Sequence, residues 1–455
     1  KEVYALFISD MKDSKRVLIY GAGESGLLTS AVIRDDKKSN MFVVGFIDKD
    51  KKRSKKKLNG FHVFHSDKLS KEFIEAKRID EIIISIQNIS TLALIKLTDQ
   101  LTTLPVVVKI VPATSNWING DLQAKQIKSV KIEDLLERPP IVLDVNKIKK
   151  KVLNKNVLVT GAAGSIGSEI VRQLINFNPQ KIILFDQAES PLYDMELDLQ
   201  EKYNYYNFEI VIGNVADEYR VRKLFDVYKP SYVYHAAAYK HVPMMENNPT
   251  EALRINILGT KIIADISHEY KVEQFVMVST DKAVNPTNVM GASKRIAEIY
   301  IQAFNQVSDT NFITTRFGNV LGSNGSVILR FKKQIDKGGP VTLTHPEVTR
   351  YFMTIPEACQ LVLEAGAISQ GGEIFIFDMG SSVKIIDLAK KMIKLFRGWG
   401  ENNREIDPQT VDWSKDDKDH FPYWLRQDPG EKILWVLVNF FSQTAIEFIR
   451  MAHRL

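Results

Sequence analysis

Two stretches of the chain share one pattern. Val17-Leu18-Ile19-Tyr20 and Val157-Leu158-Val159-Thr160 are apolar runs rich in branched residues. Glycines follow each at once, as Gly21-Ala22-Gly23-Glu24-Ser25-Gly26 and Gly161-Ala162-Ala163-Gly164-Ser165-Ile166-Gly167. A helix-like pattern follows each glycine cluster. This is the strand–turn–helix opening of a Rossmann unit, so the pattern predicts two tandem α/β domains. The first spans 1–130, with further strands over Phe42–Ile47, Glu81–Ile86 and Val106–Ile110. A linker over 131–150 follows, where Arg138-Pro139-Pro140 stops any helix. The second spans 151–455, with strands over Asn156–Thr160, Lys181–Asp186, Glu209–Gly213, Tyr232–Ala236, Gln274–Ser279 and Phe312–Phe317. Their alternation with helical segments predicts a doubly wound parallel sheet. Past Phe396 the pattern degrades, and 400–421 is too polar to place.

Composition narrows the class. The 455 residues exceed one ordinary core and fit two or three domains. A net charge of +6, from 61 basic and 55 acidic residues, points to no nucleic acid. The basic run Lys49–Lys57 reads as a solvated loop, with an anionic membrane surface as its alternative partner. The one cysteine, Cys359, lies in a helical pattern and reads as core. No apolar run reaches the ~20 residues of a membrane span. The first residue is Lys1, so the chain reads as a fragment of something longer. The histidines show no metal-ligand spacing.

The second glycine cluster carries the stronger chemistry. Gly161 permits a tight turn, Gly164 lets backbone approach a pyrophosphate, and Gly167 lets helix and strand pack closely. Ser165 and Ile166 open the helix, whose N-terminus offers N–H groups to phosphate. Asp186 ends the second strand. An acid there bonds ribose hydroxyls and repels a 2′-phosphate, which favours NAD over NADP; its bland alternative is a helix cap. Asn214 and Val215 would border the adenine. Ala236, Ala237 and Ala238 would let the dinucleotide lie against the fourth strand. In the first domain Asp48 stands where the acid would, leaving open a second nucleotide site or a structural or regulatory relic.

After the fifth strand comes Thr280-Asp281-Lys282, and further on Met290-Gly291-Ala292-Ser293-Lys294. Met290 and Lys294, four apart, share a helix face. Lys294 matches the lysine of the Tyr-x-x-x-Lys pair of short-chain dehydrogenases, a likeness that implies that it binds the nicotinamide ribose of the cofactor, and Met290 stands at the tyrosine position. Together with Ser279–Lys282 and Ala236-Ala237-Ala238-Tyr239-Lys240-His241-Val242-Pro243, this resembles the bacterial UDP-N-acetylglucosamine 4,6-dehydratases of membrane-associated polysaccharide and glycoprotein biosynthesis. They are extended short-chain dehydrogenases, and the bacillosamine (protein N-glycosylation) members are the most similar. The resemblance covers almost the whole chain.

The resemblance implies a small C-terminal substrate lobe, a resident NAD, UDP-N-acetylglucosamine as substrate and retention at C5. It also implies a homo-oligomer on the cytoplasmic side of the bacterial inner membrane, tethered by a segment not in this chain. Arg316–Ser323, Gly325–Ile328 and His345–Met353 would border the UDP-sugar. Thr280 would bond the C4 oxygen, Asp281 would be the acid at C6 and Lys282 the base at C5. For the diphosphate and sugar the candidates are Lys240, Asn319, Ser326, Arg330, Arg350, Arg426 and Glu431. Leu425–Lys432 carries two residues more than the family's Leu-Arg-Pro-Gly-Glu-Lys, and Leu329 stands where proline is common. Asn256 reads as a support for backbone rather than a contact. Two other readings remain: a UDP-sugar 4-epimerase, which needs no acid at C6, and a non-catalytic dinucleotide sensor, which Met290 would permit.

Overall fold

The computed structural model describes residues 14–36, 40–54, 56–87, 89–112, 122–130, 144–343, 345–396 and 411–412. Their contacts group into two units. One holds the described residues up to 130, with Arg330–Val348 and those from Lys384 on; the other holds those from 144 to Leu329 and Thr349–Val383. Two stretches that follow the second glycine cluster therefore group with the first unit.

In the first unit the strands are β1 (Lys15–Tyr20), β2 (Met41–Asp48), β3 (Lys57–Leu58), β4 (Phe61–His65), β5 (Glu81–Ile84), β6 (Val107–Ile110) and β7 (Lys128–Ser129). They form one sheet in the order β3-β4-β2-β1-β5-β6-β7, with antiparallel pairing only at the two outer strands. Helix α1 (Glu24–Asp35) follows the first glycine turn. Strand β4 had no sequence signal: its Phe-His-Val-Phe-His run is only partly buried, and pairing with β2 defines it.

In the second unit β8 (Asn156–Thr160), β9 (Lys181–Asp186), β10 (Phe208–Ile212), β11 (Tyr232–His235), β12 (Gln274–Thr280), β13 (Asn311–Phe317) and β14 (Ile374–Ile376) form a sheet in the order β10-β9-β8-β11-β12-β13-β14. Every pairing is parallel. Successive residues face opposite sides. Val157 and Val159 join one core while Leu158 joins the other, and Ile182 and Leu184 oppose Ile183 and Phe185 in the same way. Both faces are covered, which is why these strands read as unbroken apolar runs. Helices α2 (Ser165–Leu174) and α5 (Ile355–Ile368) cover the first face. A capping box of Thr354 and Glu357 starts α5, which buries Cys359 fully. On the other face lie α3 (Thr260–Glu269) and α4 (Val289–Asn305).

The sheet order reverses between β8 and β11, the point at which a doubly wound sheet opens a crevice at its strand ends. No described helix is long and apolar enough to cross a membrane.

Candidate functional site

At the reversal point β8 turns into α2 through the glycine cluster. Gly161 sits at φ +67°, and a Cβ there would lie 2.6 Å from the Ala237 nitrogen. On Gly167 it would lie 2.1 Å from the Gly161 carbonyl oxygen, but on Gly164 it would meet only that oxygen, at 3.2 Å. Two glycines are thus demanded by packing, and the third is crowded by a single backbone atom. No side chain caps α2, so its first turn presents N–H groups to a ligand.

A cleft of about 130 Å³ lies against this turn. Gly161, Gly164, Asp186, Asn214 and Val215 line it, as does the run Ala236–Ala238. Ser165, Ile166, Gly167 and Lys294 are not among its lining residues. The Ile166 side chain packs into the core and its carbonyl accepts from the Cys359 thiol, while Ser165 Oγ accepts from the Asn324 N–H at 3.1 Å. Gln187 also lines the cleft, and sequence reasoning missed it. Its amide accepts from Asn214 at 2.8 Å and donates to the Tyr239 hydroxyl at 3.2 Å. Its only sequence signal was its place directly after the acid.

Asp186 ties two loops together and does not cap the helix that starts at Glu189. One carboxylate oxygen accepts from its own loop at Ala188 N–H, the other from the glycine turn at Ala163 N–H, each at 3.0 Å.

Behind the alanines runs a directed chain of hydrogen bonds. The Thr260 hydroxyl donates to the Asn256 carbonyl at 2.7 Å, so it accepts from His235 Nε2 at 2.9 Å. That leaves His235 Nδ1 to accept from the Thr160 hydroxyl at 2.7 Å. Burial, then the charge of Lys294, push His235 down to about 3, so it stays neutral. Asn256 clamps Tyr239 through N–H and carbonyl, at 2.8 and 3.0 Å, the supporting role expected of it.

The second cluster sits at the end of β12. Asp281 Oδ1 accepts from the Thr280 hydroxyl at 2.8 Å and from Lys282 Nζ at 3.0 Å. Lys282 also donates to Asn319 Oδ1 at 3.3 Å. The Asp281 and Lys282 side chains keep 48% and 33% of their surface exposed, so a substrate can reach them. Gly318 and Gly291 hold this loop closely: a Cβ would lie 3.2 Å from Asp281 Oδ2 on the first and 2.3 Å from the Lys282 carbonyl on the second. Met290 and Lys294 do lie on one helix, α4, and both are buried. Met290 packs with Met245, Ala252 and Val289. Burial, opposed by the Glu298 charge, lowers Lys294 to about 8.

The remaining candidates divide. Ser326 Oγ is buried with no partner, which suits a group awaiting a ligand. Lys240 is exposed. Arg350 donates to the neighbouring Thr349 carbonyl at 2.9 Å. Arg330 groups with the first unit, where it donates to Thr342 Oγ1 at 3.0 Å. Arg426 and Glu431 lie outside the described residues.

Residues 157–415 match the family described as polysaccharide biosynthesis protein. The chain belongs to the polysaccharide biosynthesis protein family. Residues 13–94 match a second family, described as C2185-like, N-terminal. Among members of similar sequence, the capsular polysaccharide biosynthesis protein CapD of Staphylococcus aureus is 48% identical over 400 residues, which are 86% of this chain and 65% of CapD. The chain thus spans just under two thirds of that relative. A Campylobacter jejuni protein named UDP-N-acetylglucosamine 4,6-dehydratase (inverting) is 37% identical over 52% of this chain and 70% of its own. The crystal structure of Pen from Bacillus thuringiensis, 34% identical, superposes with a TM-score of 0.52 over 55% of this chain and 78% of Pen. The second unit has a Rossmann-like, doubly wound parallel sheet.

Proposed function

We propose that this family member carries out NAD-dependent 4,6-dehydration of UDP-N-acetylglucosamine, giving UDP-2-acetamido-2,6-dideoxy-hexos-4-ulose with retention at C5. The product would feed bacterial glycan assembly, the bacillosamine branch included. The observation that carries the reading is the common acceptor Asp281 Oδ1, which gathers Thr280 and Lys282 at a strand's C-terminal end. The Campylobacter relative's name supports the substrate class.

The turn at Gly161 and Gly164 and the start of α2 suit a pyrophosphate, and Asp186 suits a ribose, so the cradle fits NAD. NAD supplies a hydride acceptor at C4 and later a donor at C6, which makes the reaction redox-neutral. Thr280 bonds the C4 oxygen. Lys282, as the free amine, takes the C5 proton. Asp281, as the acid, gives its proton to the C6 oxygen as the C6–O bond breaks and water leaves. The C4 hydroxyl's proton goes to water as the ketone forms. When hydride reaches C6, Lys282 returns a proton, exchanged with solvent, to C5, and water re-protonates Asp281, so both groups are restored. The absence of a tyrosine four residues before Lys294 fits this scheme: Met290 carries no proton, so the acid–base work falls to the loop.

Incubation with UDP-N-acetylglucosamine in D₂O tests the proposal. The expected product is a 4-keto-6-deoxy sugar with deuterium at C5 and no net reduced cofactor. A C4 epimer, or no turnover, would overturn it. Inversion at C5 is the second reading, favoured by the Campylobacter relative's name; proton couplings around C5 of the product separate the two.

A further inference from the structure

Glu298 lies on α4, four residues past Lys294 and therefore one turn along the same face. It is fully buried. Its carboxylate accepts from Ser279 Oγ at 2.6 Å, from Arg316 Nε at 2.8 Å, from Arg316 Nη2 and from Arg295 Nη1 at 3.2 Å. Ser279 is the residue before Thr280 on β12. Arg316 is its register partner on β13. One carboxylate therefore ties the strand that ends in the reactive loop, the next strand, and the helix that carries Lys294.

A buried carboxylate held by four donors is expensive unless each bond is made. An apolar residue would pack the same space without that cost. The retained charge needs a use, and the geometry supplies one. We infer that Glu298 is a positioning residue for the proposed dehydratase reaction, which registers Thr280–Lys282 against Lys294 and supplies the counter-charge to the Lys294 ammonium. The inference rests on the reading of that loop as the reactive one.

The charges that face one another here can be named. Arg316 comes from β13, Arg295 and Lys294 from α4, and neutral His235 from β11. Burial would raise the Glu298 carboxyl, but the bonds from Arg316 and Ser279 hold it below its ordinary value, so it is charged. It opposes the burial that lowers Lys294. Without Glu298, Lys294 would lose its proton at a lower pH.

The test is Glu298→Gln in the full chain. The variant keeps the shape and removes the charge. NAD affinity and single-turnover reduction of NAD by UDP-N-acetylglucosamine are followed against pH, beside thermal unfolding. The alkaline limb of NAD affinity should move down by about one pH unit, the size of a single close charge. Glu298→Asp should return the limb towards wild type. Ser279→Ala keeps the ion pairs and cuts only the tie to β12. It should leave the limb in place and lower the single-turnover rate about tenfold or more, as a misplaced reactive group does. If Glu298→Gln does not fold, a Ser279→Ala rate equal to wild type overturns the inference. So does a folded Glu298→Gln whose limb stays put. NAD affinity reads the Lys294 charge even if no sugar turns over, so failure of the dehydratase reading shows separately, as a normal limb shift with no reduction of NAD by wild type.

Discussion

The backbone N–H of Ala163 donates to Asp186 Oδ2 at 3.0 Å, so the acid ending β9 also pins the glycine turn that ends β8. The first unit repeats the bond, from Ala22 N–H to Asp48 Oδ2, again at 3.0 Å. There, however, Arg53 approaches Asp48 to 3.5 Å, and the basic loop partly satisfies the acid. Asp186→Ala should lower stability by about 1–3 kcal/mol, because the turn's N–H loses its partner. It should also weaken NAD at least tenfold. Asp48→Ala should cost similar stability and leave that NAD affinity unchanged. Denaturant titration and calorimetric binding measure both; equal loss of NAD binding in the two variants would refute the assignment.

Gly161 and Gly164 separate folding from binding. Gly161→Ala puts a methyl 2.6 Å from the Ala237 nitrogen at φ +67°. It should destabilise by about 1–3 kcal/mol or more. Gly164→Ala meets only one atom, at 3.2 Å. It should fold nearly normally yet bind NAD weakly, because the methyl stands where the pyrophosphate approaches. Unfolding curves and NAD titrations of the pair decide the matter.

Asp281→Asn keeps the loop's shape but has no proton to give. It should cut overall turnover by about 10²–10⁴-fold, the usual weight of a general acid. The reduced nicotinamide should still form transiently, since oxidation at C4 precedes water loss. Stopped-flow absorbance reads the transient; its absence would move Asp281 to an earlier step.

Met290 is buried in an apolar cluster with Met245, Ala252 and Val289. Truncation to alanine should cost about 2–5 kcal/mol as a cavity opens. Denaturation midpoints measure this. A cost near zero would mean that the cluster relaxes and that Met290 is not held as the structure shows.

His235 gives the fold an acid limit. Burial, then the Lys294 charge, place it near 3 in the folded chain against 6.5 ordinarily. Below pH 6.5 the unfolded chain binds a proton that the folded chain refuses. Its contribution is therefore complete above that pH and is lost on acidification, by about 1.4 kcal/mol per unit. His235→Asn, though less stable at neutral pH, should show a shallower fall in stability between about pH 6 and about pH 4. An unchanged slope would show that the imidazole titrates freely.

Much of the site was readable in advance because its signals are local. Glycine spacing, the acid at a strand end and the loop after β12 each lie within a few residues, and each reflects a backbone requirement that short sequence states directly. Gln187, by contrast, gains meaning only from Asn214 and Tyr239, which arrive on other strands. Strand β14 was missed because three residues, two half-buried and one exposed, make no period; pairing with β13 creates it. Arg330 and Arg350 looked alike as surface cations, and only their partners distinguish them.

By itself the sequence determined the strand–turn–helix openings, the parallel sheet of the second unit and the residues that meet at its reversal point, since periodicity and glycine geometry act along the chain. Tertiary structure decided the electrostatics. Lys294 is lowered, His235 neutral and Glu298 charged only because residues from β11, β12, β13 and α4 bury one another's polar groups. Burial is a property of assembled elements, and no single segment carries it.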